Sequence, residues 1–170
     1  VLITNKGEVI DESIEIMKWS LKNSTVGKLK VYSEETNSLS ALELINENDF
    51  KFKYHLDRYK YPNRYPDEFD FNHQKAALKI LKKWNQIIKK SSVLTKSNGW
   101  LSGSNEGLAD WAIWPFVRQF SKVNIEQFET DKGLSAINLW LNFYTSQDLF
   151  LKLMQKQKFW DPSLHDVIYP

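Results

Sequence analysis

The sequence predicts a mostly α-helical protein that begins with a short β-hairpin. Two short runs rich in β-branched residues, Val1–Thr4 and Glu8–Ile10, flank a Lys6-Gly7 turn. From residue 37 onward, apolar residues recur every three or four positions, which is the period of an amphipathic helix. With 170 residues, 42% of them hydrophobic and 14% aromatic, the chain can build the core of one domain, or of one domain and part of another.

The first predicted unit covers residues 1–24 and joins the hairpin to a helix. Gly7 supplies the positive φ that a tight hairpin turn requires. An isolated hairpin is marginally stable in water, so we expect a covering helix and further strands. Val1–Thr4 is then the edge of a sheet whose preceding part is not among these residues, and it is open to pairing with another chain. The covering helix is predicted from apolar residues at helical spacing: Ile10, Ile14, Met17 and Leu21.

Asp11, Glu12 and Ser13 open this helix, and two interpretations of them stand side by side. Acidic and hydroxyl side chains at this position commonly cap a helix and complement its dipole. The same N-terminal N–H groups, together with Ser13, also suit a carboxylate or phosphate ligand, and Glu12 can hold a ligand ammonium group.

Residues 25–36 are predicted to be a linker, because the stretch from Lys22 to Glu35 is rich in Ser, Asn, Thr and Lys. Residues 37–170 are predicted to form an all-α domain. Pro62 and Pro66 end its first helix. An acid within the apolar face of that helix, Asp49, is expected either to pair with a cation or to face a cleft. The face comprises Leu42, Ile45, Asp49, Phe52, Leu56 and Tyr59.

The rest of the helical domain is predicted from similar patterns. Asp67–Ser92 is a long amphipathic helix, and Leu108–Phe120 is apolar on nearly every side, which is typical of a central buried helix. Gly107 precedes that central helix, and Asp110 in its first turn can accept hydrogen bonds from its N-terminal N–H groups. Shorter helices are expected over Leu134–Tyr144 and Gln147–Gln157.

The composition argues against several classes of function. A net charge of +2 and a basic set made almost entirely of lysine give no case for nucleic acid binding. The chain has no cysteine, so a disulfide framework, a Cys-ligated metal and a Cys nucleophile are excluded for these residues. No run approaches the roughly 20 apolar residues of a membrane span, and we expect no membrane partner and a cytoplasmic location. The histidines are separated in sequence without ligand spacing, so no metal site is predicted: His55, His73 and His165.

Taken together, these residues resemble the glutathione transferase superfamily over essentially the whole chain. Val1-Leu2-Ile3 is similar to the third strand of the family's thioredoxin-like domain. Gly7 to Ser13 is similar to its fourth strand and to the Glu/Asp-Ser pair that opens its third helix. Gly107 to Ile113 resembles the capped start of the central helix of the family's all-α domain. The stretches 56–61 and 115–120 are similar to a poorly characterised bacterial branch.

The resemblance implies a fold and a set of site residues. The fold is a partial thioredoxin-like hairpin and helix followed by the all-α transferase domain, without the N-terminal βαβ unit that takes roughly 30 or more residues. Glutathione, as co-substrate, would contact the backbone of Val1, the Glu12 carboxylate and Ser13. The second substrate, a small electrophile, would lie near Asp49, Trp111 and Trp114. Gly107 and Asp110 would form the structural cap.

The resemblance also implies a homodimeric enzyme that conjugates or reduces electrophiles with a glutathione thiolate. The Tyr, Ser or Cys that activates the thiol belongs to the family's missing segment, so no catalytic residue is assigned and the 170-residue chain alone is expected to be inactive. The alternative is a non-catalytic scaffold or partner-binding module of the same fold.

Overall fold

The computed structural model describes residues 1–24, 39–68, 70–156, 159 and 161–163. The predicted linker, residues 25–36, lies outside the described residues, and so does the end of the chain from residue 164. The prediction of a mostly helical protein with a small sheet is confirmed.

The described part of the chain begins with strands β1 (Leu2–Ile3) and β2 (Val9–Ile10) and continues with helices. The helices are α1 (Ser13–Asn23), α2 (Leu39–Glu47), α3 (Lys53–Lys60), α4 (His73–Thr95), α5 (Leu108–Ser121), α6 (Ile125–Thr130), α7 (Ser135–Thr145) and α8 (Asp148–Leu153). A π-helical turn, Asn48–Phe52, joins α2 to α3, and short 3₁₀ turns cover Pro62–Arg64, Pro66–Glu68 and Lys132–Leu134.

The two strands pair antiparallel, with Leu2 opposite Ile10 and Ile3 opposite Val9. Gly7 has φ +79°, as the turn prediction requires, and its N–H donates to the Thr4 carbonyl at 2.9 Å. Among the described residues, one face of this unit packs against the core and the other is exposed. In α1, Leu21 is buried and Ile14 and Met17 pack against the core, whereas Val1, Ile3 and Val9 are 84%, 67% and 62% exposed.

The core lies around α5, which packs against α2, α3, α6 and α7. Six residues along α5 are almost fully buried, which confirms the prediction of a buried central helix: Leu108, Ala109, Asp110, Ile113, Val117 and Phe120. Phe52 of the π-helical turn lies 5.0 Å from Trp84 of α4 and 5.9 Å from Phe120, measured between ring centroids. The π-helical turn therefore connects α4 and α5 through aromatic packing.

Several predicted boundaries are wrong. The long helix begins at His73 and not at Asp67, because the Asn72 side chain accepts a hydrogen bond from the Lys75 N–H and caps it there, while Pro66 starts a separate 3₁₀ turn. Helix α6 was not predicted, and Asn124 caps it in the same way. Helix α8 covers only Asp148–Leu153 of the predicted Gln147–Gln157.

The buried face of the α2–α3 segment differs by one position from the prediction. The polar residue on that face is Asn48, which is fully buried, whereas Asp49 is only half-buried. Asn48 lies four residues from the buried Leu44 and four from the buried Phe52, which places it in line with them on a helix, and Asp49 lies at the edge of this face. No helix in the described ranges is long and apolar enough to cross a membrane.

Candidate functional site

The residues predicted to bind glutathione lie at one corner of the hairpin unit. The strand register, with Leu2 opposite Ile10, brings Val1 beside the residues that open α1. Glu12 is the N-cap of that helix, and its backbone carbonyl accepts from the Ile16 N–H at 3.0 Å. Its side chain makes no capping hydrogen bond, and the side chains of Glu12 and Ser13 are exposed. The corner thus presents a carboxylate and a hydroxyl to the surface at a helix N-terminus.

The predicted second-substrate residues have local partners. The Asp49 carboxylate pairs with Lys53 Nζ at 2.6 Å and accepts from Asn48 Nδ2 at 2.9 Å. Of the two environments expected for Asp49, the ion pair is the one observed. The Lys53 ammonium also lies 4.0 Å from the centre of the Phe116 ring on α5.

Both tryptophans are linked to Tyr144, Trp111 through the Glu106 carboxylate and Trp114 by ring stacking. Trp111 Nε1 donates to Glu106 Oε1 at 2.5 Å, and the Tyr144 hydroxyl donates to the same oxygen at 2.9 Å. Trp114 stacks on the Tyr144 ring, with centroids 5.2 Å apart and planes 6° apart. Burial, then the nearby carboxylates of Asp110 and Glu106, raises the pKa of Tyr144. Trp111 and Trp114 therefore join α5 to α7, a structural role for half-buried aromatic residues.

The predicted cap of the central helix is a buried carboxylate with donors from several segments. Asp110 is fully buried, and one of its oxygens accepts from the Gly107 N–H at 3.1 Å. The N–H groups of Leu101 and Ser102 donate at 2.7 and 3.0 Å, and Trp140 Nε1 donates at 2.9 Å. Burial nevertheless raises the pKa of Asp110, while these donors act in the opposite direction. This carboxylate thus holds the 101–107 loop, α5 and α7 together.

Sequence reasoning missed a cluster of polar and aromatic residues between α3 and α4. His55 Nδ1 and His73 Nδ1 lie 3.0 Å apart, although 18 positions separate them in the chain. Their separation in the sequence therefore does not keep this pair apart in the fold. His73 is 7% exposed, and its other ring nitrogen, Nε2, lies 3.5 Å from Glu68 Oε2.

Glu68 is the anionic centre of this cluster. Its Oε2 accepts from Arg58 Nε at 2.8 Å and from the Tyr54 hydroxyl at 2.5 Å. These two hydrogen bonds, that of Arg58 first, lower the pKa of Glu68 to about 2. The Arg58 guanidinium lies 3.5 Å from the centre of the Tyr54 ring and 4.2 Å from that of Tyr65, so it is held by cation–π contacts as well. The Tyr65 hydroxyl donates to Asp57.

Two cavities border the cluster, with volumes of about 500 and 320 Å³. Both are lined by Glu68, Asp70, Phe71 and His73; the larger is also lined by Arg58 and Tyr65, and the smaller by Tyr54, His55 and Asp67. A further cavity of about 650 Å³ lies between α2 and α4, where Glu47, Phe50 and Lys83 line it. None of these three is lined by Asp49, Trp111 or Trp114.

Burial keeps both imidazoles of the cluster neutral near pH 7. Desolvation lowers the pKa of His55, and the charges of His73 and Arg58 lower it further. Desolvation also lowers the pKa of His73, while the Glu68 carboxylate acts against that shift. Within the described residues, no three His, Cys, Asp or Glu side chains are grouped to hold a metal ion.

The sequence contained a partial signal for this cluster. His55 and Arg58 are three positions apart, on neighbouring turns of one helical face, and acidic residues directly precede the next long helix. The packing of α3 against α4 was needed to bring the two ends of the connection together. No family model matches this sequence, and it matches no curated protein and no solved structure.

Proposed function

We propose that this protein belongs to the glutathione transferase-like proteins and binds glutathione at the corner formed by Val1, Glu12 and Ser13. The observation that carries the proposal is the pairing of β1 and β2, which brings the start of the chain beside an exposed Glu-Ser pair at a helix N-terminus. The helix dipole and N–H groups favour the ligand's carboxylate, and Glu12 complements its ammonium group. The thioredoxin-like origin of the hairpin and helix is part of this proposal.

The chemistry proposed for the protein as encoded is conjugation or reduction of small electrophiles by a glutathione thiolate. That reaction needs a donor that lowers the pKa of the thiol, because the thiolate is the nucleophile. The resemblance assigns this donor to a segment outside the 170 residues. We therefore expect the 170-residue chain alone to give no turnover of a standard electrophilic dye, and turnover equal to that of an intact transferase would overturn this part.

Calorimetric titration of the encoded protein with glutathione tests the binding site. Ser13→Ala removes a hydrogen bond to a charged group, worth about 1.5–3 kcal/mol, and should weaken binding by about 10- to 150-fold. Ser20→Ala is the matched control, because Ser20 is an exposed serine on the same helix. Absence of binding at millimolar glutathione, or equal affinities for both variants, would refute the proposed site.

The same titration separates the enzyme from the scaffold. Glutathione binding with turnover supports the enzyme, whereas a protein without glutathione affinity supports the non-catalytic module. We propose a homodimer in either case, supported by the exposed side chains of Val1, Ile3 and Val9. Light scattering coupled to size-exclusion chromatography measures this, and a monomer at micromolar concentration contradicts it.

A further inference from the structure

The contact between His55 and His73 is a feature that the proposed function does not use. It joins α3 to the first residue of α4 through two ring nitrogens 3.0 Å apart, and the ring of His73 is almost fully buried. We propose that this pair is a proton-sensitive clasp, closed while the two imidazoles share one proton between their Nδ1 atoms and opened when both are charged.

The requirement for a single shared proton follows from imidazole chemistry. A neutral imidazole has one N–H donor and one acceptor nitrogen, whereas an imidazolium has two donors and no acceptor. The 3.0 Å contact therefore needs one Nδ1 with a proton and one without. The pair satisfies this when neutral and when singly charged, but not when doubly charged, because two N–H groups then point at each other.

The charge of Glu68 favours one direction of donation. Its carboxylate lies 3.5 Å from His73 Nε2, without a hydrogen bond between them, and this negative charge favours the tautomer with the proton on Nε2, which leaves His73 Nδ1 as the acceptor. His55 is then the donor through Nδ1. The first added proton makes His55 an imidazolium that still donates to His73, or moves to His73 beside Glu68; the clasp survives either way.

Nearby positive charges disfavour the second protonation of the pair. From α3, the Arg58 guanidinium disfavours charge on both rings; from α4, a charged His73 disfavours charge on His55. The acids of the 66–72 segment act the other way: Asp67, Glu68 and Asp70 line the small cavity with the two histidines, and Glu68 is already paired with Arg58 and Tyr54. The pair thus titrates as a unit in two steps, and only the second step opens it.

Opening would change the smaller cavity. Phe71 is stacked on His55, with centroids 5.7 Å apart and planes 11° apart, and lies 4.6 Å from His73. Separation of the two imidazoles removes the wall against which Phe71 rests. Glu68 keeps its charge down to a pH of about 2, so its bonds to Arg58 and Tyr54 persist while the clasp opens. The inferred device therefore gates the 320 Å³ cavity near Phe71 and leaves the Arg58–Glu68 pair in place.

NMR of the imidazole nitrogens between pH 4.5 and 8 tests this inference in the full chain. We expect His55 as the Nδ1–H tautomer and His73 as the Nε2–H tautomer at pH 8, with two coupled titration steps. In His73→Gln, His55 should titrate in one step at a higher pH than in the wild type. His165→Gln assigns the third histidine of the chain. Independent titration of His55 and His73, or an unchanged His55 titration in His73→Gln, would overturn the clasp.

Hydrogen exchange supplies a readout of the opening itself. Protection of the first-turn amides of α4, corrected for intrinsic exchange, should fall at least tenfold between pH 7.5 and 5 in the wild type. In His55→Gln, protection should be low at both pH values and should not change with pH. If that variant fails to fold, the wild-type protein alone tests the proposal. Two Nε2–H tautomers at pH 8, or protection of the wild type that is independent of pH, would refute it.

Discussion

Asp110 and the pair of His55 and His73 are two buried polar centres that differ in how their hydrogen bonds are satisfied. The Asp110 carboxylate receives four donors at 2.7–3.1 Å from the 101–107 segment and from α7. The histidine pair has two nitrogens in contact and only one position for a proton between them. The first centre is an acceptor with a full set of donors, whereas the contact in the second depends on its protonation state.

This difference distinguishes buried polar groups that fix a fold from buried polar groups that respond to pH. A buried acceptor with a full set of donors rigidifies the elements that supply them. A pair of imidazoles in contact through their Nδ1 atoms loses that contact when both rings become charged. The central helix is thus fixed by its cap, while the α3–α4 connection contains a site that acid can disturb.

The largest expected effect is that of Asp110→Ala on the Asp110 centre. The change leaves the N–H groups of Leu101, Ser102 and Gly107 and the Trp140 indole without their acceptor inside the core. We expect a loss of about 3–5 kcal/mol in the free energy of unfolding, measured by urea denaturation. Asp110→Asn, which keeps one acceptor oxygen, should lose less.

Asp148→Ala is the control for this prediction, because Asp148 is an exposed acid in the first turn of α8. It should cost no more than about 1 kcal/mol. Equal losses for Asp110→Ala and Asp148→Ala would show that burial of the Asp110 carboxylate does not fix the central helix.

The next effect concerns pH. The unfolded histidines bind protons near their ordinary pKa of 6.5, and the native ones bind them only at lower pH, so stability should fall as the pH drops below about 6.5. Native Glu68 resists protonation from its ordinary pKa of 4.5 down to about 2, so its contribution should be lost in that lower window. Urea midpoints measured from pH 8 to 2 should therefore decline in two steps.

Glu68→Gln separates the two steps. The variant should show a smaller decline below pH 4.5, where only acids such as Asp131 and Asp161 still contribute, because their native pKa values are lowered as well. It should keep the decline that begins near pH 6.5, because the two imidazoles remain in contact. Glu8→Gln, an exposed residue of the hairpin, should leave both steps unchanged. A single decline in the wild type, already complete above pH 4.5, would argue against a stabilising role for Glu68.

The smallest effect on the free energy of unfolding is expected for an exposed side chain that belongs neither to the Asp110 centre nor to the histidine pair. Ile3 and Val9 face each other across the hairpin with their side chains mostly exposed, so Ile3→Thr should change the free energy of unfolding of a single, unpaired copy by less than about 0.5 kcal/mol. Leu21→Ala, which removes a buried contact of α1, should cost about 2–5 kcal/mol.

Chemical denaturation of both variants at several protein concentrations provides the measurement. A loss above 1 kcal/mol for Ile3→Thr that grows with protein concentration would mean that this face is covered by a second copy. That outcome would support the proposed homodimer and correct the view of Ile3 as an exposed side chain.

Much of the fold could be predicted because local patterns and tertiary packing agree. The structure agrees with three local patterns: a positive φ at Gly7, an apolar face of α1 that packs on the core, and an α5 that is apolar on nearly every side and buried. For Asp110, the local hydrogen bond from the Gly107 N–H could be predicted from the sequence. The donors from Leu101, Ser102 and Trp140 depend on tertiary packing and could not.

The rest escaped prediction for two physical reasons. First, both Pro66 and Asn72 are residues that commonly start a helix. The long helix begins after Asn72, because the Asn72 side chain accepts a hydrogen bond from the Lys75 N–H. Second, the histidine cluster is assembled from two helices and the turns between them, so no spacing within one element reveals it. The glutathione corner remains a prediction of the resemblance and of the hairpin register.

The π-helical turn Asn48–Phe52 has a consequence for the tolerance of this region to length changes. Deletion of one residue there would convert the turn to ordinary α-helix and rotate Lys53–Lys60 by about 100° around its axis. Leu56 would leave the core, and the imidazole of residue 55 would swing away from its partner. The extra residue thus sets the rotation of α3 relative to α2. Substitutions at the exposed Phe50 and Lys51 should be far better tolerated than insertions or deletions in the turn.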